Sequence, residues 1–342
     1  MCWQPPDVIE HTLRNTTQWG RHLPHSTYRK TYKSIFPAAN VRRRNEAVAT
    51  DSFFSDTPAV DNGAVCAQIF VGLDSLYTTV YGMRNQREFV NTLQDTIRMH
   101  GAMDRLISDR AQVEVSNKVL DLLRNYVIGD WQSKPHFQHQ NPAERRYQDV
   151  KRITNTLLDR TGAPSETWLL ATLYLVFVLN VSSVESLDWK TPHQLLWGQT
   201  PDISELFQFE FWEPIYYGKG AQLDSNSKPP FLSATHEKPG RFVGFAETVG
   251  DKFTYKILTD DTKRILFRSA IRTARDTVDI NRRSAPPVGE SNPIEVVTSP
   301  SRGESHGEKS TGDDGYRERI PPRISFDPDK LIGRTYLMDP SG

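Results

Sequence analysis

The sequence predicts an α/β fold: a mixed β-sheet flanked by helices, followed by a small all-β module and a disordered tail. Three observations predict it. Residues 47–83 read as three strands separated by tight turns, which favours antiparallel neighbours. From Phe89 onward the apolar spacing switches to three and four, and helices then alternate with short strands, which favours parallel neighbours. Beyond about Asp276 the chain is rich in Ser, Pro, Gly, Arg and Glu and loses apolar periodicity, the composition of a segment without a core.

Each element has its own justification. Residues 1–45 mix His, Arg, Thr and Asn with little periodicity and read as a loosely folded N-terminal extension. They close on Arg42, Arg43 and Arg44, which suit either a nucleic-acid strip or a solvated charge run. Ala47-Val48-Ala49-Thr50-Asp51-Ser52-Phe53-Phe54 is the first strand, with turn chemistry after it at Asp56-Thr57-Pro58 and Asp61-Asn62-Gly63. Residues 65–73 and 76–83 are the second and third strands, joined through Asp74-Ser75. Phe89, Leu93, Ile97 and His100 share one helix face, and Gly101 supplies the stop. Residues 105–109 form a short strand ending on a carboxylate; Val115, Val119, Leu122, Leu123 and Tyr126 mark the next helix, and residues 127–134 the fifth strand.

Asn141-Pro142-Ala143-Glu144 then opens a long helix with an Asn cap, Pro at the first helical position and Glu three residues after the cap. Val150, Ile153, Leu157 and Leu158 keep helical spacing along it. Pro164 starts a further helix running to about Val181. Its apolar run is about fourteen residues, short of the roughly 20 that cross a membrane, so it reads as a buried core helix. Three strands, helix, strand, helix, strand, helix, helix is the order of the ribonuclease H-like fold. Residues 46–200 are the expected core, 201–239 a linker, 240–275 a β module of three or four strands with turns at Gly250-Asp251 and Asp260-Asp261, and 276–342 a disordered linker.

Composition narrows the function. Lys+Arg 42 against Asp+Glu 42 gives a formal net charge of +0, which excludes a polycation and leaves nucleic-acid contact to local basic patches. Cys2 and Cys66 cannot build a disulfide scaffold or a four-cysteine zinc site, which points to a reducing compartment. The opening Met-Cys-Trp-Gln-Pro-Pro-Asp lacks a basic stretch followed by an apolar one, so no secretory signal is expected.

Three carboxylates stand out by position: Asp51 inside the first strand, Asp109 at the end of the fourth, and Glu144 in the first turn of the helix after the fifth. A carboxylate among apolar strand residues needs a compensating cation or partner. Three converging on one sheet edge suit hard divalent cations, and two such metals about 3.5–4 Å apart serve phosphodiester displacement. Asp56 and Asp61 are the alternatives to Asp51, and Glu144 also suits a helix N-terminus for its charge alone.

The order Asp51, Asp109, Glu144, with thirty-four residues between the last two, resembles the Asp-Asp-Glu core of retroviral and retrotransposon integrases. His136-Phe137-Gln138-His139-Gln140-Asn141-Pro142-Ala143-Glu144-Arg145-Arg146 is similar to the Gln-Asn-x-x-Glu-Arg helix opening of that family. Gly240-Arg241-Phe242-Val243-Gly244-Phe245, Asp260-Asp261-Thr262 and Arg268-Ser269-Ala270-Ile271-Arg272 resemble the β module after the integrase core in copia-type LTR retrotransposons. Pro328-Asp329-Lys330-Leu331-Ile332-Gly333-Arg334 resembles linker sequence ahead of a reverse transcriptase, so a polyprotein segment truncated before that enzyme is expected.

The resemblance implies an integrase that processes element 3′ ends and transfers the strand to target DNA. It implies a two-metal site of Mg²⁺ or Mn²⁺ on Asp51, Asp109 and Glu144. Lys151, seven residues after Glu144 and on its helix face, matches a phosphate-contacting position, with Gln148, Arg145 and Arg146 beside it; a solvated basic face is the other reading. The implied partners are double-stranded DNA and further copies of the chain, without a membrane, and the implied place of action is the nucleus after a cytoplasmic particle stage. Two features depart from the family pattern. His11, His22 and His25 have no cysteine pair beside them, so no structural zinc is expected, and the last acid spacing is one residue short of the commonest pattern. Readings from other classes are a catalytically inactive DNA-binding remnant and an RNA-degrading nuclease on the same fold.

Overall fold

The structure is a computed structural model and describes residues 3–20, 34–108, 116–132, 142–218, 237–250, 252–275 and 281. All lie in the first of two units, residues 1–296. Of the expected tail, residues 276–342, the structure describes residue 281 alone, and Pro328 to Arg334 fall outside the described residues.

The first sheet comprises β1 (Ala47–Phe54), β2 (Cys66–Gly72), β3 (Thr78–Met83), β4 (Arg105–Ser108) and β5 (Gly129–Gln132), in the order β3-β2-β1-β4-β5. No helix intervenes between β1, β2 and β3, which are joined through residues 55–65 and 73–77 and pair antiparallel. The connections through helices α2 (Phe89–His100) and α3 (Asn117–Asn125) leave β4 parallel to β1 and β5 parallel to β4. This is the ribonuclease H-like mixed sheet that the sequence predicts. Gly101 ends α2 at φ 99°, where a Cβ would stand 2.7 Å from the Arg42 carbonyl oxygen.

Both faces of this sheet are buried. Ala49, Phe53 and Ile69 pack against Ala143 and Val150 of α4 (Pro142–Thr161) and Leu175 of α5 (Trp168–Val181). On the other face Val48, Phe70 and Leu106 pack against Leu93 and Ile97 of α2 and Val119 and Leu122 of α3. Burial on both sides explains why all seven residues of β2 are buried without alternation.

The second sheet has five antiparallel strands in the order β10-β6-β7-β8-β9: β6 (Pro214–Gly218), β7 (Glu237–Phe245), β8 (Tyr255–Thr259), β9 (Ile265–Arg268) and β10 (Ile271–Thr273). It takes in β6, which the sequence reading leaves in the linker, and β7 starts at Glu237. Ile215, Tyr216 and Tyr217 are all buried, so β6 carries no alternation to betray it.

Helix α5 lies between the two sheets. Leu169, Leu175 and Leu179 join the first core, whereas Leu170, Ala171, Tyr174 and Val178 pack with Ile215, Phe242 and Tyr255 of the second sheet. A helix apolar all round must be buried all round. Among the described residues no single helix is long and apolar enough to cross a membrane.

The described part of the N-terminal extension carries more structure than expected. Helix α1 (Pro6–Asn15) docks beyond α5: Ser183 N–H donates to Thr12 Oγ1 at 2.8 Å, and Asn15 Nδ2 donates to the Trp189 carbonyl at 3.1 Å. His11 stacks on Trp189 with ring centroids 3.7 Å apart. His22 and His25 lie outside the described residues.

Candidate active site

The middle of β1 positions the first carboxylate. Strand alternation sends Ala49, Asp51 and Phe53 to the α4 face and Val48, Thr50 and Ser52 to the α2 face. Asp51 pairs with Ile69 of β2 and is half-buried, and its Oδ1 accepts the Ser52 N–H at 2.8 Å. Beyond Asp51 the buried core gives way to the exposed Phe54, so the carboxylate sits where the strand leaves the interior.

Helix α4 crosses the same face and brings the second. Ala143 and Val150 are its buried anchors, and the Tyr147 ring stacks on Phe53 at 4.7 Å. Glu144, half-buried, stands one turn before Tyr147. Gln148 and Lys151 are exposed; Lys151 Nζ lies 6.0 Å over the Tyr147 ring. Arg145 is exposed as well. These side chains face water on the helix, as does Arg152.

Arg146 departs from that expectation. It turns inward, its Nε donates to Thr78 Oγ1 of β3 at 3.1 Å, and its Nη2 is buried. Burial pushes its guanidinium below the ordinary arginine range, and Asp149 offsets part of this. The helix period explains the reversal: Arg146 lies three and four residues from the buried Ala143 and Val150, on the inward stripe.

Asp109 lies outside the described residues, and so do His136 to Asn141. Among the described residues no three His, Cys, Asp or Glu side chains gather as a metal site. The two described carboxylates are hard oxygen donors on one face of one sheet, a donor set that fits Mg²⁺ or Mn²⁺ rather than zinc.

The arginine run before β1 is not uniformly solvated: Arg42 is exposed, Arg43 half-buried and Arg44 buried. The Arg42 guanidinium lies 4.9 Å over Trp197, and Arg43 Nη1 donates to the Tyr126 carbonyl at 2.8 Å. Arg44 is buried against Glu46 at 2.7 Å, and Glu46 accepts Ser75 N–H and Oγ–H at 2.9 Å each. These side chains tie the entry of β1 to its surroundings. Sequence reasoning also passed over Tyr147, whose place between Glu144 and Val150 was its only signal.

No protein-family profile matches the chain. It is similar to the retrovirus-related Pol polyprotein from transposon RE2 of Arabidopsis thaliana, 25% identical over 175 residues, covering 48% of this chain. The chain spans only 12% of that curated relative's length. Among solved structures it resembles a chain of the simian T-cell lymphotropic virus intasome in complex with PP2A regulatory subunit B56 gamma, at TM-score 0.37 and 16% identity, covering 68% of this chain and 83% of that one. It also resembles the HTLV-2 integrase catalytic core domain in complex with magnesium, in its dimeric form, at TM-score 0.35 and 16% identity, over 45% of this chain and 97% of that one. The resemblance to a retrotransposon polyprotein that the motifs carry is borne out by the first of these similarities.

Proposed function

We propose that this chain is the integrase region of a retroelement polyprotein, a polynucleotidyl transferase that trims element DNA ends and joins each 3′ hydroxyl to a target phosphodiester. The observation that carries the reading is the face shared by Asp51 and α4. Strand alternation puts Asp51 on the same face of the first sheet as Ala49 and Phe53, against which α4 packs with Glu144 in its first turn. Asp109 follows the described strand β4 directly in the sequence.

Asp51, Asp109 and Glu144 would hold two divalent cations, Mg²⁺ or Mn²⁺, which when bound stabilise the attacking and leaving oxygens of an in-line displacement. The protein's own side chains position the substrate. Lys151 and Arg145 offer charge to the DNA backbone and Gln148 a neutral donor, which orients the duplex without reading its sequence. The inward Arg146 takes no part. Joining two DNA ends in concert calls for more than one copy of the chain, acting in the nucleus.

The test is strand transfer by the full chain on a labelled duplex with a 3′ CA end in Mn²⁺, beside Asp109→Asn. Products longer than the substrate, absent in the variant, are expected. Activity retained in the variant overturns the assignment of Asp109, and DNA binding without products in the wild type favours the inactive remnant.

A further inference from the structure

Gln68 is the one long polar side chain in β2, a strand otherwise of Cys, Ala, Ile, Phe, Val and Gly. It is 0% exposed on the α2 face, beside Cys66 and Phe70. A buried amide persists in such a place only with its hydrogen-bonding groups satisfied, and here the partners are the two hydroxyls that flank Asp51. Ser52 Oγ donates to Gln68 Oε1 at 2.7 Å, Gln68 Nε2 donates to Thr50 Oγ1 at 2.7 Å, and Thr50 Oγ1 donates to the Ile69 carbonyl at 2.8 Å. The last bond uses the Thr50 proton, so Thr50 must accept from the Gln68 amide, and Ser52 must donate to its carbonyl. The chain of donors has one direction.

It ends on the Ile69 carbonyl, and the residue at its start, Ser52, also meets the carboxylate. Ser52, held by its hydroxyl from below, presents its N–H to Asp51 Oδ1 at 2.8 Å on the opposite face. We propose that Gln68 is a positioning residue for Asp51: it pins Ser52, whose N–H orients the Asp51 carboxylate, and thereby sets the affinity of the site for a divalent cation. A carboxylate held in advance binds metal without first being ordered, which is how partners behind a ligand raise affinity. Linked hydrogen bonds also polarise one another in a dry interior.

The inference rests on Asp51 being a metal ligand, and the experiment separates the two. The full-length wild type, Gln68→Met, Ser52→Ala and Asp51→Asn are titrated with Mn²⁺ by calorimetry, and their thermal unfolding is followed in metal-free buffer. Gln68→Met is expected to bind Mn²⁺ about tenfold more weakly, Ser52→Ala to weaken in the same direction by less, and Asp51→Asn to lose the most. Unchanged Mn²⁺ affinity in Gln68→Met overturns the proposal whatever its unfolding temperature, because a purely structural role moves only the latter. Where Gln68→Met fails to fold, Ser52→Ala decides, and unchanged affinity there overturns it. Equal Mn²⁺ binding by Asp51→Asn and wild type removes Asp51 as a ligand and takes down the proposed function together with this inference.

Discussion

Tyr147 stacks on Phe53 with ring centroids 4.7 Å apart and planes 21° from parallel. The contact lies three residues from Glu144 along α4 and two from Asp51 along β1, so it couples the elements that carry the two described carboxylates. Tyr147→Ala should cost about 1–3 kcal/mol, less than a fully buried aromatic because the ring is half-exposed. Denaturant unfolding measures this. Strand transfer should fall further than stability alone explains, and Tyr147→Phe, which keeps the ring, should restore both.

The buried pair of Arg44 and Glu46 gives a second prediction. Their side chains are 0% and 4% exposed, so removing one partner strands a charge in the interior. Glu46→Ala should destabilise the protein by about 3–5 kcal/mol. Because Arg44 is enclosed, Arg44→Met should leave the salt dependence of DNA binding unchanged while lowering the unfolding midpoint.

Lys151 should behave in the opposite way. It is exposed on α4, so Lys151→Ala should leave thermal stability within about 0.5 kcal/mol of wild type. DNA affinity should drop and the slope of log K against log salt should shrink by about 1, the signature of one lost phosphate contact. A slope unchanged in fluorescence anisotropy titrations rejects Lys151 as a phosphate contact.

His100 makes stability depend on pH. Burial, aided by the nearby Arg44 charge, pushes its imidazole down to about 4. It packs against Tyr77 and Trp197, and its Nδ1 is buried with no partner among the described residues. The folded state therefore keeps His100 neutral while the unfolded chain takes up its proton near pH 6.5, so stability is full above that pH and declines as pH falls towards 4. The loss reaches about 3 kcal/mol at most. His100→Leu should flatten the unfolding midpoint between pH 6.5 and 4; an unaltered pH profile refutes the link.

Much of the first sheet was legible because its signals are local. Ala47–Phe54 reads as a strand and is one, and Gly101 stops α2 where a left-handed residue is required. The Pro142-Ala143-Glu144 opening starts α4 as predicted. What escaped depends on partners distant in sequence. Nothing local distinguishes Arg44, which finds Glu46 and the turn at Ser75, from Arg43, which reaches Tyr126. Arg146 and Arg145 are neighbours in sequence, yet the helix turns one inward to Thr78 and leaves the other in water. Strand β6 is short and buried throughout, and α1 earns its place through contacts with Ser183 and Trp189 rather than through periodicity. For the candidate site, the placement of Asp51 within β1 and of Glu144 in the first turn of α4 was legible, whereas Tyr147 and Gln68 became visible only through their contacts.

The double-sided burial of α5 bears on how such a chain can be recombined. Tyr174 stacks against Phe245 and meets Phe242 edge-on, while its helix neighbour Leu175 faces the first sheet. A chimera that exchanges the second sheet for a homologue's must therefore import a matching α5 surface, or leave aromatic side chains without their sockets. A crossover inside the segment from α5 to β8 would likewise split interlocking halves.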